Sequence, residues 1–272
     1  MSKNRYRAFM KVWGKHEEDP EELKLIHDRI KYHEVRDETS YPCVHEWYST
    51  DNEEAWKKNK RTSPELLEKY NWTEDSIKYS LNSHGFRNRE FVENPNSIIT
   101  IGECFTFGTG LPREMTWPAL LEKEVPYEIF NLGVPLAGLD FAFRTLFYWI
   151  PVLKSKKVFM LENSTEGREV FNNNESQNIG GWSEEQWKID LAANKNERYI
   201  SRKKNLLAIE KWCEMHDVEF IVIDFDTRNK VGHAEHEKHK EEPYCVARDL
   251  MHPGLHFHTA IKDIFKKTLE AN

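Results

Sequence analysis

The sequence predicts an α/β fold: three layers, α/β/α, around a parallel sheet, with a mostly helical N-terminal extension. Three observations carry this expectation. From about residue 96, short β-branched runs alternate with longer segments of helical pattern, as strands joined by crossover helices do. Several of those runs end in Gly or Asn, which suits turns at the carboxyl ends of strands, where α/β sheets bind ligands. Before residue 86 the alternation is absent, and charged and aromatic residues dominate.

The elements follow in chain order. Residues 20–34 (PEELKLIHDRIKYHE) place Leu23, Ile26 and Ile30 on one helical face. In SPELLEKY (63–70), Ser63 and Pro64 make an N-cap and a first helical position. The stretch 33–52 between them has no clear period. Residues 1–85 are therefore read as a helical and irregular extension packed on the main domain, which spans 86–272. Within that domain SIITIG (97–102) is a strand and TWPALLEKEV (116–125) a helix. YEIFNLG (127–133) is the second strand, and the apolar FAFRTLFYWIPVL (141–153) a largely buried helix. KKVFML (156–161) is the third strand, followed by the loop ENSTEGRE. Residues 183–216 read as one long helix or two joined ones, opened by Ser183 as N-cap. VEFIVID (218–224) is the fourth strand, and the chain closes in a helix after HPG.

Composition excludes several classes. With 39% hydrophobic residues, fifteen Phe and nine Trp, the chain can bury a proper core. The net charge of −7 and the lack of a long basic stripe argue against a nucleic-acid partner. KKNKR (57–61) and SRKKN (201–205) sit among acids and read as solvated helix faces. No apolar stretch reaches the length of a membrane span, and the first residues lack the apolar core of a signal peptide, so a cytoplasmic protein is expected. The Lys/Asn/Glu-rich composition is also compatible with a virus-encoded protein. Cys43, Cys104, Cys213 and Cys245 are widely spaced, which suits neither a disulfide framework nor a zinc site. No metal or other cofactor is expected, and the oligomeric state is not readable.

Four features bear on chemistry. Cys104 lies at the first strand-to-helix turn, where a helix dipole favours thiolate; a small buried filler is the other reading. In ARDLMHPGLHFH (247–258), Asp249 and His252 are spaced so that the carboxylate can orient the imidazole. A capping Asp beside a surface histidine would look similar. Gly133 in NLGVP (131–135) lets backbone N–H groups approach an oxyanion, or simply frees a turn. Asn163, after the third strand, offers a side-chain amide to the same oxyanion, although Asn is frequent in turns.

In chain order these features resemble the blocks of SGNH (GDSL-type) hydrolases. GECFTFG (102–108) stands where that family typically reads GDSFTFG, and TWPALLE (116–122) follows as in the family. NSHGFRNREF (82–91) is similar to its lead-in, NLGVP to its second block and DLMH (249–252) to its last. The third block is matched by Asn163 alone. The resemblance spans roughly residues 80–272 and implies an SGNH/flavodoxin-like fold. Two residues depart from the pattern: Cys104 replaces the nucleophilic serine and Glu103 the preceding aspartate.

The roles implied by the resemblance are these. Cys104 attacks an acyl carbonyl, His252 is base and then acid, and Asp249 orients His252. The N–H groups of Cys104 and Gly133 and the side chain of Asn163 hold the oxyanion. The implied activity is ester hydrolysis on a small-molecule or saccharide acyl ester, such as an acetyl group on a sugar. Acyl transfer through a thioester, and a binding or structural protein that keeps the fold without turnover, are the alternatives.

Other features take plainer readings. His233, His236 and His239 recur at three-residue spacing, which a metal site can use, but their charged surroundings favour a solvated helix or loop. Trp117, Phe105 and Phe107 read as core. His256 and His258 either line a pocket or cap the last helix.

Overall fold

The computed structural model describes residues 41–164, 167–172 and 175–271. The helix expected over 20–34 lies outside the described residues.

The described chain opens with a short strand, β1 (Cys43–His45), and two helices, α1 (Glu53–Thr62) and α2 (Pro64–Lys69). β2 (Tyr79–Leu81) then pairs antiparallel with β1, so the part of the extension described here is not purely helical. Asn52 caps α1 by accepting the Ala55 N–H at 2.8 Å. Ser63 does precede α2, with Pro64 at its start, but its side chain makes no cap bond.

The α/β part follows the expected order. Strands β3 (Ser97–Ile101), β4 (Glu128–Asn131), β5 (Lys157–Leu161) and β8 (Glu219–Ile223) form a four-stranded parallel sheet in the order β4–β3–β5–β8. Between them run α3 (Cys104–Phe107), α4 (Trp117–Glu122), α5 (Leu139–Leu153), α6 (Gln186–Ala193) and α7 (Lys195–Met215). After β8 come α8 (Phe225–His239) and α9 (Leu255–Ala271).

Side chains alternate across each strand, so both sheet faces need cover. Ile99, Ile101, Val158 and Met160 face α5 and α7 through Leu146, Trp149, Ile150, Ile209 and Cys213. Ile98, Phe159 and Leu161 face α4 and α9 through Trp117, Leu121, Ile261 and Phe265. These two cores make the three layers. A third core joins the extension to the sheet domain: Trp56, Leu67, Tyr70, Trp72 and Tyr79 pack with Phe107, Leu111, Cys245 and Ala247.

One expectation changes and two narrow to one of their alternatives. The loop after β5 gives way to an antiparallel pair, β6 (Arg168–Asn172) and β7 (Glu175–Ile179). Polar residues dominate both segments, so neither shows an apolar alternation. The 183–216 segment is two helices, capped not by Ser183 but by Asn194, which accepts the N–H groups of Asn196 and Glu197 at 3.1 Å and opens α7. Residues 225–239, including the three-spaced histidines, are helical. Among the described residues no helix is long and apolar enough to cross a membrane, and all four cysteines are free thiols.

Candidate active site

The carboxyl ends of β3, β4 and β5 place Cys104, Gly133 and Asn163 on successive loops. The turn after β3 is made tight by close packing. A Cβ on Gly102 would stand 2.2 Å from Thr106 Oγ1 and 2.7 Å from Leu161 O. Cys104 is the first residue of α3, a single turn that ends at Gly108 in left-handed conformation (φ 81°), which glycine adopts without penalty. So short a helix has little dipole, and the help expected from it for a thiolate is small. Cys104 is buried, at 6% exposure.

The partner of Cys104 is His252. Burial pulls the His252 pKa down, but bonds to Asp249 and to the Cys104 thiol more than offset this, and the value is raised to about 10. On its other edge His252 Nδ1 lies 2.6 Å from Asp249 Oδ2. Burial raises the Asp249 pKa, yet the His252 contact and the N–H groups of Met251 and His252, at 3.0 and 3.1 Å from Oδ1, bring it below its usual value. Asp249, at hydrogen-bond distance, and the neighbouring Cys104 thiol thus both act on His252, whose ring packs edge-on against Phe105.

The loop that carries Asp249 and His252 is stapled by its own backbone. Ala247 N–H donates to His252 O and Gly254 N–H to Cys245 O, both at 2.9 Å. The glycine of HPG is required there, because a Cβ on Gly254 would meet Tyr244 O at 1.8 Å. This close approach is what the DLMHPG spacing encodes.

The expected oxyanion donors behave differently from one another. Cys104 opens α3, so its N–H has no intrahelical acceptor. The Gly133 N–H, however, donates to Asn131 Oδ1 at 2.9 Å. The Asn163 amide donates to Ala137 O at 2.6 Å and Gly138 O at 3.3 Å. In this arrangement Gly133 and Asn163 therefore do not present free donors. The reason is local: Asn131 side chain spans the Gly133 and Thr106 backbones, donating to Thr106 O at 2.9 Å, and the turn at 137–138 needs donors for its buried carbonyls.

Several supporting residues were not identified from the sequence. Thr50 Oγ1 donates to Asp249 Oδ2 at 2.9 Å, and Asn59 Nδ2 to Asp249 O at 3.1 Å. Residues ahead of the sheet domain thus complete the environment of its carboxylate. Next door, the fully buried Arg248 binds both Asp51 oxygens at 3.0 and 2.7 Å and lies over the Trp47 ring. Arg87, in the quoted lead-in, is buried too and donates to Gly108 O at 2.7 Å and Leu111 O at 2.8 Å, holding the loop behind α3. Burial lowers its pKa to about 10. Arg228 donates to Glu103 Oε1 at 2.6 Å and Glu162 O at 2.9 Å, so Glu103, one methylene longer than Asp, ends in a buried ion pair.

His258 is fully inside the protein and accepts the Trp117 N–H at 3.0 Å, a structural position away from the Cys104–His252 pair. Trp117 and Phe107 are core residues, as expected.

No family model matches the sequence, and no curated protein matches it. Among solved structures, the chain is similar to the crystal structure of TesA at 12% identity and a TM-score of 0.44, over 64% of this chain and 98% of that one. It is also similar to the psychrotrophic esterase EstA from Pseudoalteromonas sp., at 12% identity and a TM-score of 0.42, over 65% of this chain and 97% of that one. A third likeness is to a lipolytic protein of the G-D-S-L family from Desulfitobacterium hafniense DCB-2, at 13% identity and a TM-score of 0.39, over 63% of this chain and 98% of that one.

Proposed function

We propose that this chain is an SGNH-type acyl-ester hydrolase that uses Cys104, His252 and Asp249 as a nucleophile–base–orienting triad. The observation that carries the reading is His252 with its Nδ1 at 2.6 Å from Asp249 and its pKa raised by both Asp249 and the Cys104 thiol.

The chemistry follows from that arrangement. His252 holds the one proton of the Cys104–His252 pair, and the thiolate sulfur attacks the acyl carbonyl carbon. Asp249 holds the imidazolium and fixes which ring nitrogen faces the sulfur. The tetrahedral intermediate collapses as His252 returns its proton to the leaving alcohol, which leaves a thioester on Cys104. His252 then takes a proton from water, and hydroxide attack releases the acid and regenerates the pair. The Cys104 N–H is the oxyanion donor the reading rests on. Gly133 and Asn163 join it only if substrate draws them from their present acceptors. A small acyl ester, such as an acetylated saccharide, is the substrate class in this reading. An alcohol or amine in place of water would make the same intermediate an acyl donor.

The burial of Cys104 and the engagement of both other donors support a second reading, a protein that binds an ester or saccharide without turning it over. One experiment separates the two. p-Nitrophenyl acetate turnover is compared among the intact protein, Cys104→Ala and Cys104→Ser, together with iodoacetamide labelling of Cys104 across pH. Under the hydrolase reading, Cys104→Ala loses at least about 10³-fold in rate, and labelling falls in His252→Ala. Turnover unchanged in Cys104→Ala overturns it. Saccharide binding with no turnover in any form favours the second reading.

A further inference from the structure

The three-spaced histidines of α8 do not converge with one another, but one of them meets residues from two other elements. His239 at the end of α8, Glu242 in the following turn and His256 in the first turn of α9 each offer a ligand atom, all within 4.8 Å of one another. We propose that these three residues bind a divalent transition-metal ion of the zinc type, with water completing the shell.

The separations are those of ligands around a small cation. His239 Nδ1 stands 2.9 Å from Glu242 Oε1, and His256 Nε2 stands 3.4 Å from Glu242 Oε2. Around a tetrahedral ion with bonds of about 2.0–2.1 Å, neighbouring ligand atoms are about 3.3 Å apart. Each imidazole has a nitrogen toward Glu242, and because the rings lie stacked, 4.0 Å between centroids and 5° between planes, one ring must turn for both in-plane lone pairs to meet a shared ion.

Hydrogen bonding alone does not account for the cluster. His256 Nε2 is sealed from solvent and makes no hydrogen bond of proper geometry among the described residues, though Glu242 Oε2 faces it at 3.4 Å. A buried ring nitrogen without a proper hydrogen bond is costly, and a metal ion would satisfy it. On the far edge of His239, Nε2 lies 3.3 Å from Glu235 Oε2. That contact favours the tautomer with its proton on Nε2 and leaves the Nδ1 lone pair facing Glu242, as outer carboxylates do for metal-bound histidines. Two imidazoles and one carboxylate suit zinc, cobalt and nickel rather than calcium or magnesium.

The site would clip the end of α8 to the start of α9, four residues beyond His252. Its occupancy is independent of whether Cys104 turns over an ester, so it is tested without a substrate. The full chain, dialysed against chelator, is titrated with CoCl2 by visible absorption and with ZnCl2 by calorimetry. The expected result is one ion per chain, a cobalt spectrum without thiolate charge transfer, and a melting temperature that rises with zinc. His239→Ala and His256→Ala each weaken binding by more than about 100-fold, and Glu235→Gln by about 10-fold. His233→Ala, on the same helix outside the cluster, leaves binding unchanged. His256→Asn and circular dichroism of every variant guard against loss by misfolding. Absence of binding to the intact chain, equal binding by His239→Ala and His256→Ala variants that are folded, or cobalt held by Cys245 thiolate would each overturn the proposal.

Discussion

The ion pair beneath the Cys104 turn offers a sharp test of how this site is supported. Arg228 is 4% exposed and Glu103 11%, so solvent screens their contact little. One guanidinium nitrogen serves two acceptors, Glu103 Oε1 at 2.6 Å and Glu162 O at 2.9 Å, and the plane lies 4.6 Å from the Phe105 ring and 4.5 Å from the Phe225 ring. Arg228→Met keeps much of the apolar contact but strands a carboxylate and a carbonyl. Breaking a buried pair from one side costs about 3–5 kcal/mol. With a urea slope of about 2–3 kcal/mol per molar, the unfolding midpoint should fall by about 1–2 M. Glu103→Gln keeps an acceptor at the same place and should cost only about 1–2 kcal/mol. The double change, Arg228→Met with Glu103→Met, removes both charges together and should recover at least about 2 kcal/mol relative to the sum of the single changes. Urea unfolding at constant slope, followed by tryptophan fluorescence, measures the intact protein, Arg228→Met, Glu103→Met and the double change as the four corners of this cycle, with Glu103→Gln beside them. A loss below about 1 kcal/mol in Arg228→Met, or a double change equal to the sum of the singles, would refute the idea that Arg228 holds this turn by charge. Since Glu103 directly precedes Cys104, folded Arg228→Met should also show altered alkylation of that thiol.

Two further outcomes follow from the same geometry. Thr50→Val deletes one donor to Asp249 Oδ2 and should lower kcat/KM for any ester the protein turns over by roughly 2–10-fold, from a bond worth about 0.5–1.5 kcal/mol. Asn59→Ala, which touches only the Asp249 backbone carbonyl, should change the pH profile less than Thr50→Val does. His252 sets the alkaline limb of stability. Its pKa is raised from 6.5 to about 10, so the folded chain keeps a proton that the unfolded chain releases. The stability this adds is complete below pH 6.5 and is lost as pH rises through about 10, by up to about 1.4 kcal/mol per pH unit in between. Urea midpoints measured from pH 6 to pH 10 should therefore fall, and Cys104→Ala, which removes one cause of the shift, should end the fall at lower pH. A midpoint flat across that range in the intact protein would rule out a protonated His252.

The strands of the sheet were legible because each is a short run of mostly apolar residues, buried throughout β3 and almost throughout β5, with no polar alternation to confuse the pattern. β6 and β7 were not. Their polar residues carry no such signal, and they pair antiparallel as neighbours in the chain, Arg168 opposite Ile179 and Asn172 opposite Glu175. Cys104, Asp249 and His252 were legible for a different reason: Gly102 lies two residues before the thiol, Pro253 and Gly254 directly follow the imidazole, and Asp249 stands three residues before it. Gly254 is fixed by the backbone, since no other side chain fits against Tyr244 O.

By itself the sequence determined the alternation of strands and helices, the places where turns must be tight, and the order of the thiol, amide, carboxylate and imidazole along the chain. Only the tertiary structure decided which groups have partners. Thr50 meets Asp249 across 199 positions, Arg228 meets Glu103 across 125, and Arg248 meets Asp51 across 197. It also turned the Gly133 and Asn163 donors toward other acceptors and brought His239 to His256. The physical reason is that turn geometry depends on a few neighbouring residues, whereas the pairing of a buried charge or donor depends on which side chain the folded core brings within about 3 Å of it.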